Sequence, residues 1–377
     1  MLNTDKIIKQ LSYDAEVQQS ELFRFLRYLN LHRSKSLHLN LKVFPAAIML
    51  KIVVVAAILS ALIGCQDAPP RQVESPHKVT LASTHANQPD SALVLIADVK
   101  GFFTEEGLNV QFQMHTFGKS ALGAVLENKA DLATVAETPV MFAVNKREKL
   151  FIVAGIFTTS RNNALIGRKD KGISQPTDLR GKRIGYSAGT TGDFFMDSLL
   201  AVNGIERTEV VPVDLKPEQM FEYLTSGGVD AASTWNPPLA LLRKAFGENA
   251  VTFFDKHIYT QTFTIAGQQE FVQNNPETIK RFLRALIKAE QFILEHNDEA
   301  QTIVAGKLKI GNDDFRELWS GFRYHVSLDR LLIITLQDET RWAIKNRLID
   351  DTTMPNYRHF IYDNALRSIR PGTVNLD

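Results

Sequence analysis

Residues 178–192 read DLRGKRIGYSAGTTG and decide the fold of this 377-residue chain. Within them a charged turn leads into the short apolar strand Ile184–Tyr186, and the segment Gly189–Gly192 then opens a helix predicted over Asp193–Val202. A buried strand followed directly by a helix is the repeating unit of βαβ folds. The stretch therefore predicts an α/β fold whose sheets are mostly parallel and flanked by helices.

The same alternation begins well upstream of this stretch. Val79–Ala82 reads as a buried strand, and a helix predicted over residues 91–100 ends at Gly101. Thr138 is expected to cap another helix, with Pro139 at its first position. The upstream half thus predicts further αβ layers.

Downstream, the pattern changes from α/β layers to helices. Residues 251–254 read as an edge strand, and Asn275 precedes a long helix with one apolar face. That face carries Ile279, Phe282, Leu283, Leu286, Ile287 and Ile293. Further helices are predicted to about Arg347, and the tail over residues 369–374 reads as a loop.

Composition excludes several classes of protein. Hydrophobic residues make up 44% of the chain and charged residues 23%, as in a soluble globular protein. The net charge of +1 and the lack of a dense Lys/Arg stripe argue against a nucleic-acid surface. Cys65 is the only cysteine and the nine histidines lack metal-ligand spacings, so we expect no metal and no cofactor.

A lipoprotein signal is predicted near the start of the chain. The apolar run Ile52–Ile63 is followed directly by Gly64 and Cys65, so that residues 62–65 read LIGC. The run is shorter than the roughly 20 residues of a membrane span. Small residues before a lone Cys are typical of a signal whose Cys is acylated and becomes the new N-terminus. We therefore assign residues 49–64 to the signal, Cys65 to lipid attachment and residues 65–76 to a polar tether, outside the cytoplasm.

Two other interpretations of this region stay open. The apolar run is instead a buried core helix with an inert Cys, or a membrane anchor over about residues 43–64 in which Lys51 would be costly. Residues 1–48 form an N-terminal extension before the signal, and a translation start at Met49 would remove them.

A set of short motifs occurs in an order and spacing that resembles one known family. The motifs are GFFTEEGLNV (101–110), NKADLA (128–133), GRKD (167–170), DLRGKRIG (178–185), GTT (189–191), VDA (229–231), WNPP (235–238) and the helix after Asn275. Over residues 77–375 the chain resembles the solute-binding proteins of ABC importers of the nitrate, sulfonate and taurine type. Binders of thiamine pyrimidine precursors belong to the same group.

The resemblance implies a two-lobe fold of the periplasmic-binding-protein type II, with ligand in the cleft. Lobe one would be residues 77–163 plus 265–377, and lobe two residues 166–262, with two hinge crossings near 163–165 and 263–265. The implied partners are a small-molecule ligand, an ABC permease and its ATPase. The protein would be a monomer, moored in the periplasm or at the cell surface by its lipid, and not an enzyme.

Ligands of open α/β sheets bind beyond the carboxyl ends of the strands, and this rule places five loops at the cleft. We expect ligand contacts from Thr84, His85, Phe117, Gly118, Glu137, Thr138, Ser187, Gly189, Thr190, Thr191, Trp235 and Asn236.

The helix start at Gly189–Gly192 has two interpretations. Free backbone N–H groups and two hydroxyls form an anion site, but Thr is also a common N-cap. Asp193 in the first turn favours the helix dipole and is expected to face solvent. If it faced the cleft, the ligand would need a positive or hydrogen-donating group, as a zwitterionic aminosulfonate has.

The other candidates have alternatives as well. Trp235 stacks on the ligand or packs in the core, and Asn236 supplies one donor and one acceptor. Glu137 either binds an ammonium or hydroxyl group of the ligand or is a solvated loop carboxylate. Phe117 fits core packing better than a place in the pocket.

The sequence thus predicts a lipid-anchored receptor that captures a sulfonate-, taurine- or nitrate-like solute for a permease. The alternatives are a binder of a thiamine pyrimidine precursor, a periplasmic sensory module and a pyrimidine-synthase-like enzyme. Such synthases depend on a Cys-rich motif that this chain lacks.

Overall fold

A computed structural model of the chain describes residues 76–86, 88–309 and 311–377. The predicted extension, signal, Cys65 and the tether up to residue 75 lie outside the described residues. The strands are β1 (His77–Ser83), β2 (Leu108–Met114), β3 (Leu132–Ala136), β4 (Leu150–Thr159), β5 (Asn163–Arg168), β6 (Arg183–Tyr186), β7 (Val211–Asp214), β8 (Ala231–Trp235), β9 (Ala250–Phe253), β10 (Gln261–Gln268), β11 (Arg323–Asp329) and β12 (Val374–Asn375).

Helices follow most of these strands, as the alternating pattern predicts. They are α1 (Ala92–Val99), α2 (Phe102–Glu105), α3 (Gly118–Leu126), α4 (Glu137–Asn145), α5 (Thr191–Val202), α6 (Met220–Ser226), α7 (Pro238–Phe246), α8 (Gln269–Asn274), α9 (Pro276–Glu295), α10 (Asn297–Leu308), α11 (Asn312–Trp319), α12 (Arg330–Lys345) and α13 (Asn364–Ile369). Gly101 follows α1 with a φ of 75°, a left-handed conformation that glycine adopts without strain.

The strands form two sheets. The first has the order β12-β11-β4-β10-β3-β1-β2, and the second has the order β7-β6-β8-β5-β9, with β9 at its edge as predicted. The α/β fold class is confirmed, but both sheets are mixed rather than mostly parallel. β10 runs antiparallel to β3 and β4, and β5 runs antiparallel to β8 and β9, so the pairings divide equally between the two directions.

The chain passes between the two sheets at two places. It leaves the first sheet after Thr159 and enters the second at Asn163, and it leaves the second after Phe253 and returns at Gln261. Residues 163–165 and 263–265, where the sequence placed the crossings, therefore lie inside β5 and β10. β5 and β10, the strands by which the chain enters each sheet after a crossing, run opposite to both of their neighbours and account for four of the five antiparallel pairings. The fifth joins β11 to β4.

The core is built from the two faces of each sheet. In β5, Leu165 packs on one side of the second sheet while Ala164 and Ile166 pack on the other. This alternation follows from the two-residue period of a strand. Helix α9 buries Ile279, Phe282, Leu283, Leu286 and Ile293 against the first sheet, as its apolar face predicts.

Two C-terminal predictions are wrong. Residues 323–329 form strand β11 rather than helix, because Tyr324, Val326 and Leu328 alternate into the core. The tail adds the short strand β12 beside it. Over the described parts of the chain, none of the helices has both the length and the apolar character needed to cross a membrane.

Candidate functional site

A small cavity lies where the two sheets face each other. It holds about 300 Å³ of space, part of which is open to solvent. Its walls come from both sheets and their helices. They are Gln88, Asp90, Phe117, Gly118, Lys119, Ala136, Pro139, Thr190, Thr191, Trp235, Gln261 and Phe263.

Helix starts supply much of the cavity wall. Helix α3 begins at Gly118, α4 at Glu137 and α5 at Thr191, so the N-terminal ends of three helices meet here. The first backbone N–H groups of a helix have no acceptor within that helix. The local field at the cavity is therefore favourable to negative charge.

Two glycines let these helix starts approach the sheets closely. A Cβ on Gly118 would lie 3.0 Å from Cα of Val135, and a Cβ on Gly192 would lie 3.1 Å from the carbonyl oxygen of Ser233. The same Cβ on Gly192 would lie 3.5 Å from the ring of Trp235. Side chains at these positions would push α3 away from β3 and α5 away from β8.

Lys119 is the basic residue of the cavity wall. It lies in the first turn of α3, and its Nζ donates to the carbonyl oxygen of Ala188 at 2.6 Å, which joins the first sheet's helices to the second sheet's loop. Burial lowers the pKa of Lys119. The side chain also lines a neighbouring cavity of about 980 Å³ of empty space, together with Gly189 and Asp193.

Asp90 is the acidic residue of the cavity wall, and it is only 1% exposed. Its Oδ2 accepts a hydrogen bond from Nε2 of Gln261 at 3.1 Å, whereas its Oδ1 has no hydrogen-bond donor among the described residues. Burial raises the pKa of this carboxyl from 3.8 to about 7. A buried carboxyl with a raised pKa and an oxygen that lacks a donor is a candidate for binding a donor group of a ligand.

Asp193 does not face solvent, and that expectation is wrong. It is 2% exposed, and its carboxylate accepts hydrogen bonds from Arg207 Nη1 at 2.9 Å and from the Gly189 N–H at 2.9 Å. Arg207 also donates to Asp197 at 2.6 Å. Burial raises the pKa of Asp193 to about 6, so with Arg207 beside it the group is ionised at neutral pH.

Glu137 and Thr138 lie in a helix rather than in a loop. Helix α4 begins at Glu137, so Thr138 is not its N-cap. Glu137 is fully buried and accepts a hydrogen bond from Tyr259, while Thr138 donates to Glu339 of α12. Burial raises the pKa values of both glutamates.

The predicted ligand residues divide into two groups. The cavity wall includes Phe117, Gly118, Thr190, Thr191 and Trp235. The others have partners within the protein. Thr84 bonds Ser91 and Thr134, His85 bonds Ser83, Ser187 bonds the Leu215 carbonyl, and the Asn236 N–H donates to Asn162. Their roles as ligand contacts stay predictions.

Sequence reasoning missed Gln88, Asp90, Lys119, Gln261 and Phe263. Only Lys119 carried a usable signal, because it follows Gly118 at a predicted strand-to-helix turn. Within residues 76–86, 88–309 and 311–377, no cluster of His, Cys, Asp and Glu side chains is placed to hold a metal ion.

Two sheets with flanking helices, joined by two chain crossings and with a cavity lined by both, define the periplasmic-binding-protein fold. The NMT1/THI5-like family model matches residues 88–300, more than half of the chain, so this chain belongs to that family. The resemblance drawn from the sequence motifs is thereby confirmed.

Relatives with informative names agree with this assignment. A putative aliphatic sulfonates-binding protein of Bacillus subtilis is 25% identical over 258 residues, 66% of this chain and 75% of that protein. The taurine-binding periplasmic protein of Escherichia coli is 24% identical over 231 residues, 58% of this chain and 68% of that protein. Both are named as binding proteins.

A solved structure supports the fold independently. The periplasmic aliphatic sulphonate-binding protein of Escherichia coli superposes with a TM-score of 0.64 at 15% identity, covering 77% of this chain and 99% of that protein. At this identity the likeness establishes the shared fold alone.

Proposed function

We propose that this chain is the lipid-anchored solute-binding component of an ABC importer, and that it captures a small solute with an anionic group between its two sheets. The observation that carries the proposal is the cavity itself. Its wall combines residues from both halves of the fold. Phe117 and Lys119 come from the side of the first sheet, and Thr190, Thr191 and Trp235 come from the side of the second.

The chemistry of the cavity supports an anionic group on the solute. Thr191 presents the N-terminal end of the twelve-residue helix α5, and helix N-termini bind sulfonate- and carboxylate-like groups through backbone N–H donors. Lys119 adds a cation whose pKa is lowered by burial, and an anion beside it would stabilise its charged form.

Contacts across the cleft support a closed, ligand-trapping state. Thr116 donates to Glu218 at 2.7 Å and Lys119 donates to the Ala188 carbonyl at 2.6 Å, each pair joining elements of different sheets. A ligand that contacts both sides shifts the population toward closure. The two sheets thus serve as the cores of the two predicted lobes in this proposal.

Titration of the purified full chain tests the binding function. We would titrate taurine, alkanesulfonates, nitrate and pyrimidine precursors into wild type, Lys119→Met and the control Lys129→Met. Lys129 is exposed and pairs with Glu127. We expect saturable binding that Lys119→Met weakens about tenfold or more and Lys129→Met leaves unchanged. An intact fold that binds none of these solutes would overturn the proposal.

A separate measurement tests the anchor. Cys65 is the predicted acylation site, so the mature N-terminal peptide should carry diacylglyceryl and fatty acyl groups by mass spectrometry. Cys65→Ser should release the protein from membrane fractions. Unmodified Cys65 in the membrane-bound protein would contradict the anchor without affecting the binding proposal.

A further inference from the structure

Asp90 is held in one orientation by a network of buried amides. Gln261 Oε1 accepts hydrogen bonds from Asn162 Nδ2 at 3.2 Å and from Asn163 Nδ2 at 2.9 Å. Its Nε2 is thereby turned toward Asp90 Oδ2, where it donates at 3.1 Å. One oxygen of the carboxyl is thus satisfied by the protein, and the other is left for something else.

The backbone around Asp90 is fixed as well. Asp90 lies in the 3-10 turn Pro89–Ser91 ahead of α1, and Tyr324 of β11 donates its hydroxyl hydrogen to the Pro89 carbonyl at 2.9 Å. Oδ1 therefore cannot reach solvent by a simple rotation of a mobile loop. It stays buried in a wall of the cavity.

The protein supplies no counter-charge at this position. No Lys, Arg or His among the described residues forms an ion pair with Asp90, although Lys119 lines the same cavity. The groups that interact electrostatically with Asp90 are Glu137 and Tyr324, neither of which is a cation. Burying an ionised carboxylate without a counter-charge is costly, and buried charges in proteins are usually paired. Asp193 shows the usual solution, with Arg207 on its carboxylate.

We infer that the ligand of this cavity carries a protonated nitrogen that docks on Oδ1 of Asp90, so that the site selects a small zwitterion over a simple anion. The inference rests on the proposed function, since Lys119 and the start of α5 take the anionic group of the same ligand. The ammonium group of the ligand is the counter-charge of the Asp90 carboxylate, which has no ion-pair partner among the described residues.

Binding should depend on pH with opposite signs for the two classes of ligand. Asp90 must be ionised to receive an ammonium group, and its pKa in the free protein is about 7. Below that value, affinity for a zwitterion falls by up to about tenfold per pH unit. An anion lacking the nitrogen instead loses affinity as pH rises, because the ionised carboxylate repels it. Glu137 on α4, Tyr324 on β11, Lys119 on α3 and Glu339 on α12 also face this region, so Asp90→Asn is needed to isolate the effect.

Matched ligand pairs test this directly. We would titrate taurine against ethanesulfonate, and β-alanine against propanoate, into the full chain between pH 5.5 and 8. Each pair differs in one amino group. At pH 8 we expect the ligand with the amino group to bind at least about 30-fold more tightly than its partner without it. Asp90→Asn should abolish both this preference and the opposed pH dependences. Asp350→Asn, at an exposed loop position, is the matched control and should preserve them.

The outcomes separate the two proposals. Equal or tighter binding of ethanesulfonate and propanoate would overturn the inference while supporting the proposed function. Saturable binding of none of the four probes would overturn the zwitterion inference and count against the proposed small-anion function together. A preference for taurine that survives in Asp90→Asn with an unchanged unfolding midpoint would assign the nitrogen to another residue and also overturn the inference.

Discussion

Two buried aspartates of this protein face opposite situations. Asp193 is 2% exposed and lies between Arg207 and the Gly189 N–H, whereas Asp90 is 1% exposed and has the amide of Gln261 but no cation among the described residues. Their burial is the same and their partners differ. The protein neutralises the first carboxylate with its own cation and leaves the second without one.

This difference separates a structural acid from a ligand-facing acid. Removing the partner of a paired buried charge should destabilise the fold, because an uncompensated charge remains. Removing a charge that has no partner should stabilise the fold, because the protein no longer bears the cost of burying it. The two aspartates therefore predict stability changes of opposite sign.

Arg207→Met should have the largest effect. It leaves Asp193 and Asp197 buried without their cation, and we expect the free energy of unfolding to fall by about 3–5 kcal/mol. Urea denaturation at pH 7 measures this. The control is Arg341→Met, whose partner Asp338 is exposed, and which should change stability by about 1 kcal/mol or less. Equal losses in the two variants would contradict the structural role of Arg207.

Asp90→Asn should act in the other direction. The carboxyl has a pKa of about 7 in the folded chain and 3.8 in the unfolded chain, so the folded state holds its proton more tightly. The stability it contributes is complete below pH 3.8 and is lost as pH rises to 7. The variant should therefore be more stable than wild type by about 2–4 kcal/mol at pH 8 without ligand, and equal to it near pH 4.

Urea midpoints at the two pH values, in ligand-free protein, measure this difference. A loss of stability at pH 8 would show that Asp90 has a partner within the protein. It would remove the contrast with Asp193.

The contrast itself could not be predicted from the sequence. The strand-to-helix pattern around residues 178–192 was sufficient for the fold class and for Thr190 and Thr191 at the cavity, whereas Trp235 came from the WNPP motif at the end of another predicted strand. The partner of Asp193 is Arg207, 14 residues further along, and only the packed loop brings them together. Asp90 follows Pro89 at a helix start, where an acidic side chain ordinarily interacts favourably with the helix dipole. Its position in the sequence is therefore no reason to expect it in a ligand site.

Other failures have similar causes. Gln261 lies in the apolar strand QTFTIAGQ and reads as an ordinary strand end, although its amide orients Asp90. Strand β11 did carry a signal, since Tyr324, Val326 and Leu328 alternate, but it lies between helices and was read with them. Long-range partners and local context decided these positions rather than local propensity.

Trp342→Phe should have an intermediate effect. Trp342 of α12 donates its indole N–H to Asp197 Oδ2 of α5 at 2.8 Å. The bond therefore joins a helix that packs beside the first sheet to a helix that packs beside the second sheet. Its loss removes a donor from a buried carboxylate and should cost about 1–3 kcal/mol of unfolding free energy. Trp319→Phe is the matched control, because that ring packs on Phe315 and Tyr324 instead. A smaller loss for Trp342→Phe than for the control would indicate that ring packing matters more than the hydrogen bond.

Lys345→Met should have the smallest effect, although it lies one turn of α12 from Trp342 and also spans the two sheets. Its Nζ is 3.9 Å from Glu206, and both side chains are about two-thirds exposed. Water and salt screen such a pair, so we expect a change of about 0.5 kcal/mol or less in the same denaturation assay. Lys345 and Trp342 lie on the same helix, and their partners lie in α5 and in the loop that follows it, so the two contacts differ mainly in burial. A loss for Lys345→Met as large as that for Trp342→Phe would mean that crossing the cleft, rather than burial of the partner carboxylate, sets the strength of these contacts.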